Sequence, residues 1–189
     1  MIKKVKLFTI RHLPFAICYL FISACAPYVA YKKDYDFKKI KKIAVLNFDS
    51  YIGFDSSGMV VRDEIIRHLI ESGITVVERE KIDKILKERE IDYKKIKKIL
   101  GADAIITGSV IKYIPEKEEY VYFKDNEGNL QYEVKYFDAE VGVSARLIDT
   151  ETGEIIWANT YTYESFDLEA ALISCVRGLL RNLIILIRG

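Results

Sequence analysis

The clearest strand pattern in the chain is the run 104–111, which carries no charge and shows no helical periodicity. A short apolar run rich in β-branched residues is typical of a strand that is covered on both faces. Gly108 lies in its middle, where a glycine would normally weaken a strand, so we expect another segment to pack closely there. The pattern predicts a central strand and no chemistry of its own.

The patterns around this run predict the rest of one α/β domain. Apolar or alternating runs predict strands at 43–48, 74–78, 120–123, 130–137, 141–149 and 154–163. Apolar residues three or four positions apart predict helices at 59–72, 80–89, 93–100 and 166–187. The first helix has Ser56 or Ser57 as its N-cap, and Gly73 and Gly101 end two of the helices. The fold class is therefore α/β: a mixed β-sheet with packed helices, in a single domain over 40–189.

The segment 120–137 is predicted to be a hairpin around the Gly- and Asn-containing turn 125–129. Each arm has about seven or eight residues, fewer than the ~9–11 that cross a membrane. Two interpretations stay open: a hairpin that inserts into a membrane, and a soluble hairpin that docks a partner. The candidate residues for either role are Tyr120, Tyr122, Phe123, Leu130, Tyr132, Val134 and Tyr136, of which the last four share a face opposite Gln131, Glu133 and Lys135.

The beginning of the chain has the pattern of a signal peptide. A basic segment, 1–11, precedes the apolar run 13–24, which is too short for a membrane span. Residues 22–25 resemble a bacterial lipobox, which implies cleavage before Cys25 and acylation of its thiol and new amino group. Residues 1–24 would then be a lipoprotein signal peptide, and 25–39 the lipidated N-terminus and tether. A plain secretory signal, or an uncleaved anchor, is the alternative.

Composition argues against several functions. The first 24 residues hold four basic residues and no acidic one, so the remainder carries 25 basic and 28 acidic residues, a net charge of −3. This charge gives no reason to bind nucleic acid. His68 is the only histidine after the signal, too few for a hydrolase triad or a zinc site. We therefore expect no enzyme activity, no metal and no cofactor, with Cys175 a small core residue.

Four motifs in order resemble the CsgG family, which comprises the curli-secretion channel lipoprotein and its relatives. They are Ile-Ala-Val-Leu-Asn-Phe at 43–48, the segment 76–86, Leu-Gly-Ala-Asp-Ala-Ile-Ile-Thr-Gly-Ser at 100–109, and Ala-Arg-Leu-Ile-Asp-Thr-Glu-Thr-Gly-Glu-Ile-Ile-Trp at 145–157. The resemblance covers roughly 40–187 and implies an anticodon-binding-domain-like α/β sandwich. The hairpin at 120–137 stands where the curli channel has a membrane hairpin. That channel's second membrane hairpin has no counterpart here, since only the predicted helix 93–100 lies at its place.

The resemblance implies a lipoprotein anchored in the outer membrane on its periplasmic face, and Ala26 after the cysteine favours that membrane. The first functional hypothesis is a component of secretion or surface-structure assembly, such as curli-like assembly, acting by homo-oligomerisation and by binding protein partners of the cell envelope. The second is a monomeric regulatory lipoprotein that activates a periplasmic envelope enzyme, as penicillin-binding-protein activators do. A third is a small-ligand sensor that uses the loop 49–58, at the carboxyl end of a strand.

Overall fold

The computed structural model describes residues 29–77, 97 and 101–189. Within these ranges, a six-stranded sheet carries two long helices, and a two-stranded hairpin extends from it. The strands are β1 (Ala30–Tyr31), β2 (Lys42–Asp49), β3 (Thr75–Val76), β4 (Ala104–Ile114), β5 (Lys117–Lys124), β6 (Leu130–Phe137), β7 (Ala139–Asp149) and β8 (Ile155–Ser165). The helices are α1 (Ser57–Glu71) and α2 (Leu168–Arg188), and a short 3-10 turn spans Phe37–Lys39.

The sheet is mixed, as the sequence predicts. Its strand order is β1-β8-β7-β4-β2-β3, with β2 parallel to both β3 and β4 and the other neighbours antiparallel. Helices α1 and α2 contact each other and pack on one face of the sheet. The core between them is formed by inward residues of both layers, among them Val45, Ile106, Leu147, Trp157, Val61, Ile65, Leu179 and Leu183.

Strand β4 confirms the expectation of a close approach at Gly108. A Cβ atom at this position would lie 2.0 Å from the carbonyl oxygen of Ser144 on β7 and 2.6 Å from the Phe48 ring. Only a residue without a side chain fits there. Burial on both faces is confined to the first three residues of the strand, Ala104, Ile105 and Ile106, because Thr107 to Ser109 are half-buried and Ile111 is exposed.

The helices differ from prediction at their ends and on one face. Helix α1 begins two residues earlier than predicted, and the Ser56 side chain at its N-cap makes no capping hydrogen bond. Ile70 follows the apolar spacing of this helix, four residues after Ile66, but it is exposed. Gly73 and Gly101 have left-handed backbones, as helix-ending glycines do. The predicted helices at 80–89 and 93–100 lie outside the described residues, apart from Lys97.

Helix α2 is long and apolar enough by composition to cross a membrane. Its position in the fold is that of a core helix. One face, from Ala171 through Cys175 and Leu179 to Leu183, is buried against β7 and β8. Cys175 is therefore a buried core residue, as predicted.

Residues 29–40 are part of the domain, which corrects the expectation of a tether reaching to residue 39. Strand β1 pairs with the edge strand β8, matching Ala30 with Ala158 and Tyr31 with Trp157. Phe37 and Ile40 are buried in the core. The sequence pattern is misleading here because these apolar residues stand singly in a basic, tyrosine-rich segment, and their partners are distant in sequence.

Candidate functional site

The hairpin of β5 and β6 is a two-stranded ladder separate from the main sheet. Strand β4 leads into it through Pro115 and Glu116, and Asp138 connects it back to β7. Each arm has eight residues, which corresponds to a length of about 27 Å at ~3.4 Å per residue. Strand β5 begins at Lys117, three residues before the start at 120 that the sequence predicts.

One face of this hairpin is a band of exposed aromatic side chains. The register places Tyr120 opposite Val134 and Tyr122 opposite Tyr132, and residues directly opposite each other share a face. The Tyr132 ring lies 6.0 Å from that of Tyr120 and 6.2 Å from that of Tyr122, between ring centroids. We call the surface formed by Tyr120, Tyr122, Leu130, Tyr132, Val134 and Tyr136 the tyrosine face. Two charged residues lie on the same side of the hairpin at its ends, Glu118 opposite Tyr136 and Lys124 opposite Leu130.

The tyrosine face is open to solvent. Its four tyrosines are 52–73% exposed, and Leu130 is 68% exposed. Phe123, the remaining candidate residue, pairs with Gln131 and therefore lies on the opposite face of the hairpin. That second face alternates charged and apolar residues, with Glu119 opposite Lys135 and Val121 opposite Glu133. Exposed apolar patches are uncommon on monomeric soluble proteins, and the centres of protein interfaces are enriched in aromatic residues.

The tip of the hairpin is held by Asp125. Its Oδ1 accepts hydrogen bonds from the backbone N–H groups of Glu127 at 2.9 Å and Asn129 at 2.8 Å. These bonds, led by that from Asn129, lower the pKa of the carboxyl group. Gly128 supplies the left-handed residue that the turn requires, with φ of 87°. The turn predicted at 125–129 is therefore confirmed, and the structure adds the role of the Asp125 carboxylate.

The loop 49–58, our third candidate, is closed by its own side chains. The Ser50 hydroxyl donates to the Asp55 carbonyl at 2.6 Å and accepts from the Gly58 N–H at 3.1 Å. The Ser57 hydroxyl accepts from the Tyr51 N–H at 2.8 Å. Two N–H groups at the start of α1 that could hold an anion, those of Ser57 and Gly58, are thus already engaged within the loop. Nothing in this arrangement favours a ligand.

A shallow cleft of about 300 Å³ lies beside Asp49 on the sheet face opposite α1 and α2. It is lined by the hydroxyl side chains of Thr107, Ser109 and Ser144 and by the exposed Arg146. The cleft has no buried charge to fix the orientation of a ligand. Across the described ranges, no group of His, Cys, Asp or Glu side chains is arranged to hold a metal ion.

The structure adds one polar centre that the sequence analysis missed, in the turn between β7 and β8. Asp149 is buried, and its carboxylate accepts hydrogen bonds from the backbone N–H groups of Glu151 at 2.8 Å and Thr152 at 2.9 Å. The Tyr35 hydroxyl donates to the same carboxylate, and the Lys39 ammonium lies 3.6 Å away. We call Asp149, Tyr35 and Lys39 the Asp149 clamp. It ties the N-terminal segment to the far end of the sheet.

The electrostatics of the clamp favour the charged carboxylate. Burial raises the pKa of Asp149, but the hydrogen bonds from Tyr35 and from the backbone of Thr152 and Glu151, together with the Lys39 charge, outweigh this effect and lower the pKa to about 2. Burial and the neighbouring carboxylate raise the pKa of Tyr35. Neither partner in this pair changes its protonation near neutral pH, so the clamp is structural. In the sequence, the one signal for this centre is an aspartate directly before the Thr-Glu-Thr-Gly turn.

The sequence matches the model of one protein family over residues 33–177, and the family is described as curli production assembly/transport component CsgG. No curated protein matches the sequence. Cys25, the predicted lipidation site, precedes both this match and the described residues.

Similar folds occur among solved structures. A dodecamer of a PelC point variant from Paraburkholderia phytofirmans has a TM-score of 0.54 at 19% identity, covering 82% of this chain and 98% of that one. Another PelC dodecamer from the same organism gives 0.52 at 19% identity, with 82% and 96% covered. The hypothetical protein CT253 from Chlamydia trachomatis gives 0.50 at 9% identity, with 78% and 98% covered. At such identities these likenesses establish the fold alone.

Proposed function

The chain belongs to the CsgG family, and on this premise we propose that it is a non-enzymatic lipoprotein of the outer membrane, on the periplasmic face, that acts in the secretion or assembly of cell-surface structures. It works by self-association and by binding protein partners of the envelope. The observation that carries this proposal is the tyrosine face, an exposed aromatic surface on an arm that extends from the sheet.

The chemistry of the hairpin supports protein binding over insertion into lipid. A membrane-spanning strand needs an aliphatic middle, with aromatic residues at its two ends. Here Tyr120, Tyr122 and Tyr132 occupy the middle of the ladder, where their hydroxyl groups would lack hydrogen-bond partners in hydrocarbon. The segment 117–137 also carries three lysines and five acidic residues. Tyrosine is, by contrast, enriched at protein interfaces, where its ring is covered and its hydroxyl group stays paired.

The short connection to the predicted anchor supports action close to the membrane. Only three residues separate Cys25 from Val29, the first described residue, and they span about 10 Å when extended. An activator that reaches through the cell wall needs a much longer connection. We therefore favour an assembly role near the bilayer over the regulatory lipoprotein that activates a distant enzyme.

Self-association is tested by the mass of the lipidated mature protein in mild detergent, measured by native mass spectrometry. The similar PelC structures are dodecamers, so a discrete ring of many subunits is the expected result. A monomer at all concentrations would exclude a ring and leave a single-copy partner-binding protein. The anchor is tested separately with Cys25→Ser, which should leave the membrane fraction in high salt.

Membrane insertion is tested with an environment-sensitive fluorophore on the hairpin. The label is placed on Tyr122→Cys, in the tyrosine face, or on Phe123→Cys, its neighbour on the opposite face. The lipidated protein is then incorporated into liposomes that contain no other protein. We expect the same emission from both positions, because neither enters lipid. A blue shift at Tyr122→Cys alone would show that the tyrosine face lies in the bilayer and would overturn the partner-binding interpretation.

A further inference from the structure

The segment 32–42 carries more positive charge than the described fold uses. It holds six lysines and two aspartates. Two of these lysines meet acidic groups: Lys32 pairs with Glu154 at 2.7 Å, and the Lys39 ammonium lies 3.6 Å from the Asp149 carboxylate. The other four form no ion pair with an acidic residue within 29–77, 97 and 101–189. We call these four the lysine surface: Lys33, Lys38, Lys41 and Lys42.

The lysine surface belongs to a fixed part of the domain. Three of its side chains are exposed and the fourth, that of Lys42, is half-buried. Phe37 and Ile40, which stand among these lysines in the sequence, are buried in the core. The backbone N–H groups of Lys41 and Lys42 donate to the Asp103 carboxylate at 2.9 and 3.0 Å. The charges therefore keep set positions on the domain, unlike those of a flexible tail.

The chain connects this part of the domain to the predicted anchor over a short distance. Strand β1 pairs with Trp157 and Ala158, the third and fourth of the eleven residues of β8, so it lies nearer to the Asp149 turn than to the hairpin. Val29 directly precedes β1, and the three residues between it and Cys25 span at most about 10 Å. If Cys25 is acylated, as proposed above, the domain must stand close to the bilayer surface.

The hairpin end of the sheet is acidic. Ile114 and Glu164 both pair with Glu140 on β7, and the Leu168 N–H donates to the Glu116 carboxylate at 3.1 Å. The strand ends and the start of α2 therefore meet at the base of the hairpin. The segments that meet there carry two lysines and seven acidic residues, a net charge of −5, over 112–119, 137–140 and 163–167.

The opposite end of the sheet, at the Asp149 turn, is not acidic. Asp149 pairs with Ala104 at the start of β4, and the Asp149 clamp and the hydrogen bonds to Asp103 bring the lysine-rich segment to the same end. The segments there carry seven lysines and six acidic residues, a net charge of +1, over 32–42, 97, 101–103 and 149–154. An anionic surface near the domain therefore repels the hairpin end and not this end.

We propose that the lysine surface binds the anionic headgroups of the bilayer in which Cys25 is anchored. Clusters of about four to eight basic residues beside a membrane anchor bind anionic lipids, and such an attraction adds to the attachment that acyl chains provide. The contact also orients the domain, with the Asp149 end at the bilayer and the hairpin away from it. This orientation rests on the acylation proposed above, and it keeps the tyrosine face out of lipid, as the proposed function requires.

The test uses the mature protein, from Cys25 onwards, coupled through the Cys25 thiol to a maleimide lipid in preformed vesicles. This coupling supplies the anchor whether or not a cell acylates Cys25, and the buried Cys175 does not compete. The vesicles contain phosphatidylcholine alone, or phosphatidylcholine mixed with phosphatidylglycerol. The acetylation rate of each lysine is measured by peptide mass spectrometry. Lys117 and Lys124, both exposed on the hairpin, are the internal controls.

We expect acetylation of the lysine surface to be about fivefold slower in the anionic vesicles than in the neutral ones, with the two hairpin lysines unchanged. High salt should abolish the difference, because it screens charges at the surface. Lys33→Glu combined with Lys41→Glu should remove the protection of the two remaining lysines. The matched control is Lys117→Glu combined with Lys124→Glu, which makes the same change of charge at the other end and should leave the protection as it is.

Equal acetylation rates in the two kinds of vesicle would overturn the proposal. Protection of the hairpin lysines would overturn it too, because it would place the hairpin end at the bilayer. Protection found only in native membranes, and in neither vesicle, would assign the lysine surface to an acidic protein partner instead of lipid. The anchor fails separately: if the Cys25→Ser variant stays in the membrane fraction, the lipoprotein proposal is wrong whatever the vesicles show.

Discussion

The Asp149 clamp offers a quantitative test of how the N-terminal segment is held. In Asp149→Asn the side chain keeps its size, but the negative charge that faces the Tyr35 hydroxyl and the Lys39 ammonium is lost. Asp149 is only 2% exposed, so solvent does little to screen this change. We expect the variant to fold and to be less stable at neutral pH.

The size of the effect follows from the pKa of Asp149. The folded protein lowers it from 3.8 to about 2, which corresponds to about 2 kcal/mol of stabilisation at neutral pH. Because the folded-state pKa lies below the unfolded one, the unfolded chain takes up the proton first as the pH falls. The contribution is therefore complete above about pH 5 and is lost as the pH falls through the range between about 4 and 2.

The assay is urea unfolding followed by the fluorescence of Trp157, the only tryptophan in the chain and a core residue. We expect Asp149→Asn to lower the free energy of unfolding by about 2 kcal/mol at pH 7 and by clearly less at pH 3. The matched control is Glu154→Gln in the same turn. Its carboxylate pairs with Lys32 at the surface, so the change should stay within about 1 kcal/mol at both pH values.

An equal loss at pH 7 and pH 3 would refute the reasoning, because it would show that the charge of Asp149 contributes nothing specific. A control variant as unstable as Asp149→Asn would refute it too, since the effect would then belong to the turn and not to the buried carboxylate. Tyr35→Phe provides a further check. It removes the hydroxyl donor alone and should cost about 1–3 kcal/mol, as loss of a hydrogen bond to a buried charge does.

Three further variants or labels test the packing. Gly108→Ala should destabilise the protein by about 2 kcal/mol or more in the same unfolding assay, because the new Cβ would lie 2.0 Å from the Ser144 carbonyl oxygen; a loss no greater than that of its neighbour Thr107→Ala would contradict this. Gly178→Ala gains up to about 1 kcal/mol of helix propensity, but its Cβ would lie 2.4 Å from the Tyr161 ring. We therefore expect a net loss of stability that is partly restored when Tyr161→Ala is added. Additive losses in the double variant would argue against the clash. Burial raises the pKa of the Cys175 thiol to about 12. Alkylation of Cys175 at pH 8, read by peptide mapping, should therefore occur only in denaturant. Labelling of the native protein would contradict this, because it would show that the thiol becomes accessible to solvent.

The elements that could be predicted from the sequence are those fixed by neighbours along the chain. The central strand β4 is predictable from its uncharged composition, rich in β-branched residues. The close packing at Gly108 is predictable because a glycine weakens a strand unless another segment approaches it closely. The turn at 125–129 is predictable because Asp125, Gly128 and Asn129 close it with their own backbone and side chains. In each case the physical cause lies within a few residues of the pattern.

The elements that could not be predicted depend on distant partners. Nothing next to Tyr35 indicates that its hydroxyl group meets Asp149, which is 114 positions away. Phe37 stands in a segment rich in lysines, and its burial depends on helix α2, which packs against the 3-10 turn. The charged start of β5 resembles a turn for the same reason: Lys117 and Glu119 become strand residues only because β6 supplies Phe137 and Lys135 opposite them.

If Cys25 is acylated as we propose, the Asp149 clamp and strand β1 together limit how far the domain can stand from the membrane. While residues 29–40 stay on the domain, the three residues between Cys25 and Val29 can span at most about 10 Å. If the clamp and β1 were released, residues 26–40 would be free and could extend to about 50 Å. The same chain could then serve as the long connection that an activator of a distant enzyme needs. On the proposed role, the buried carboxylate of Asp149 has a second consequence beside stabilising a turn: by holding residues 29–40 on the domain, it keeps the domain close to an acylated Cys25, where the proposed assembly function would place its partners.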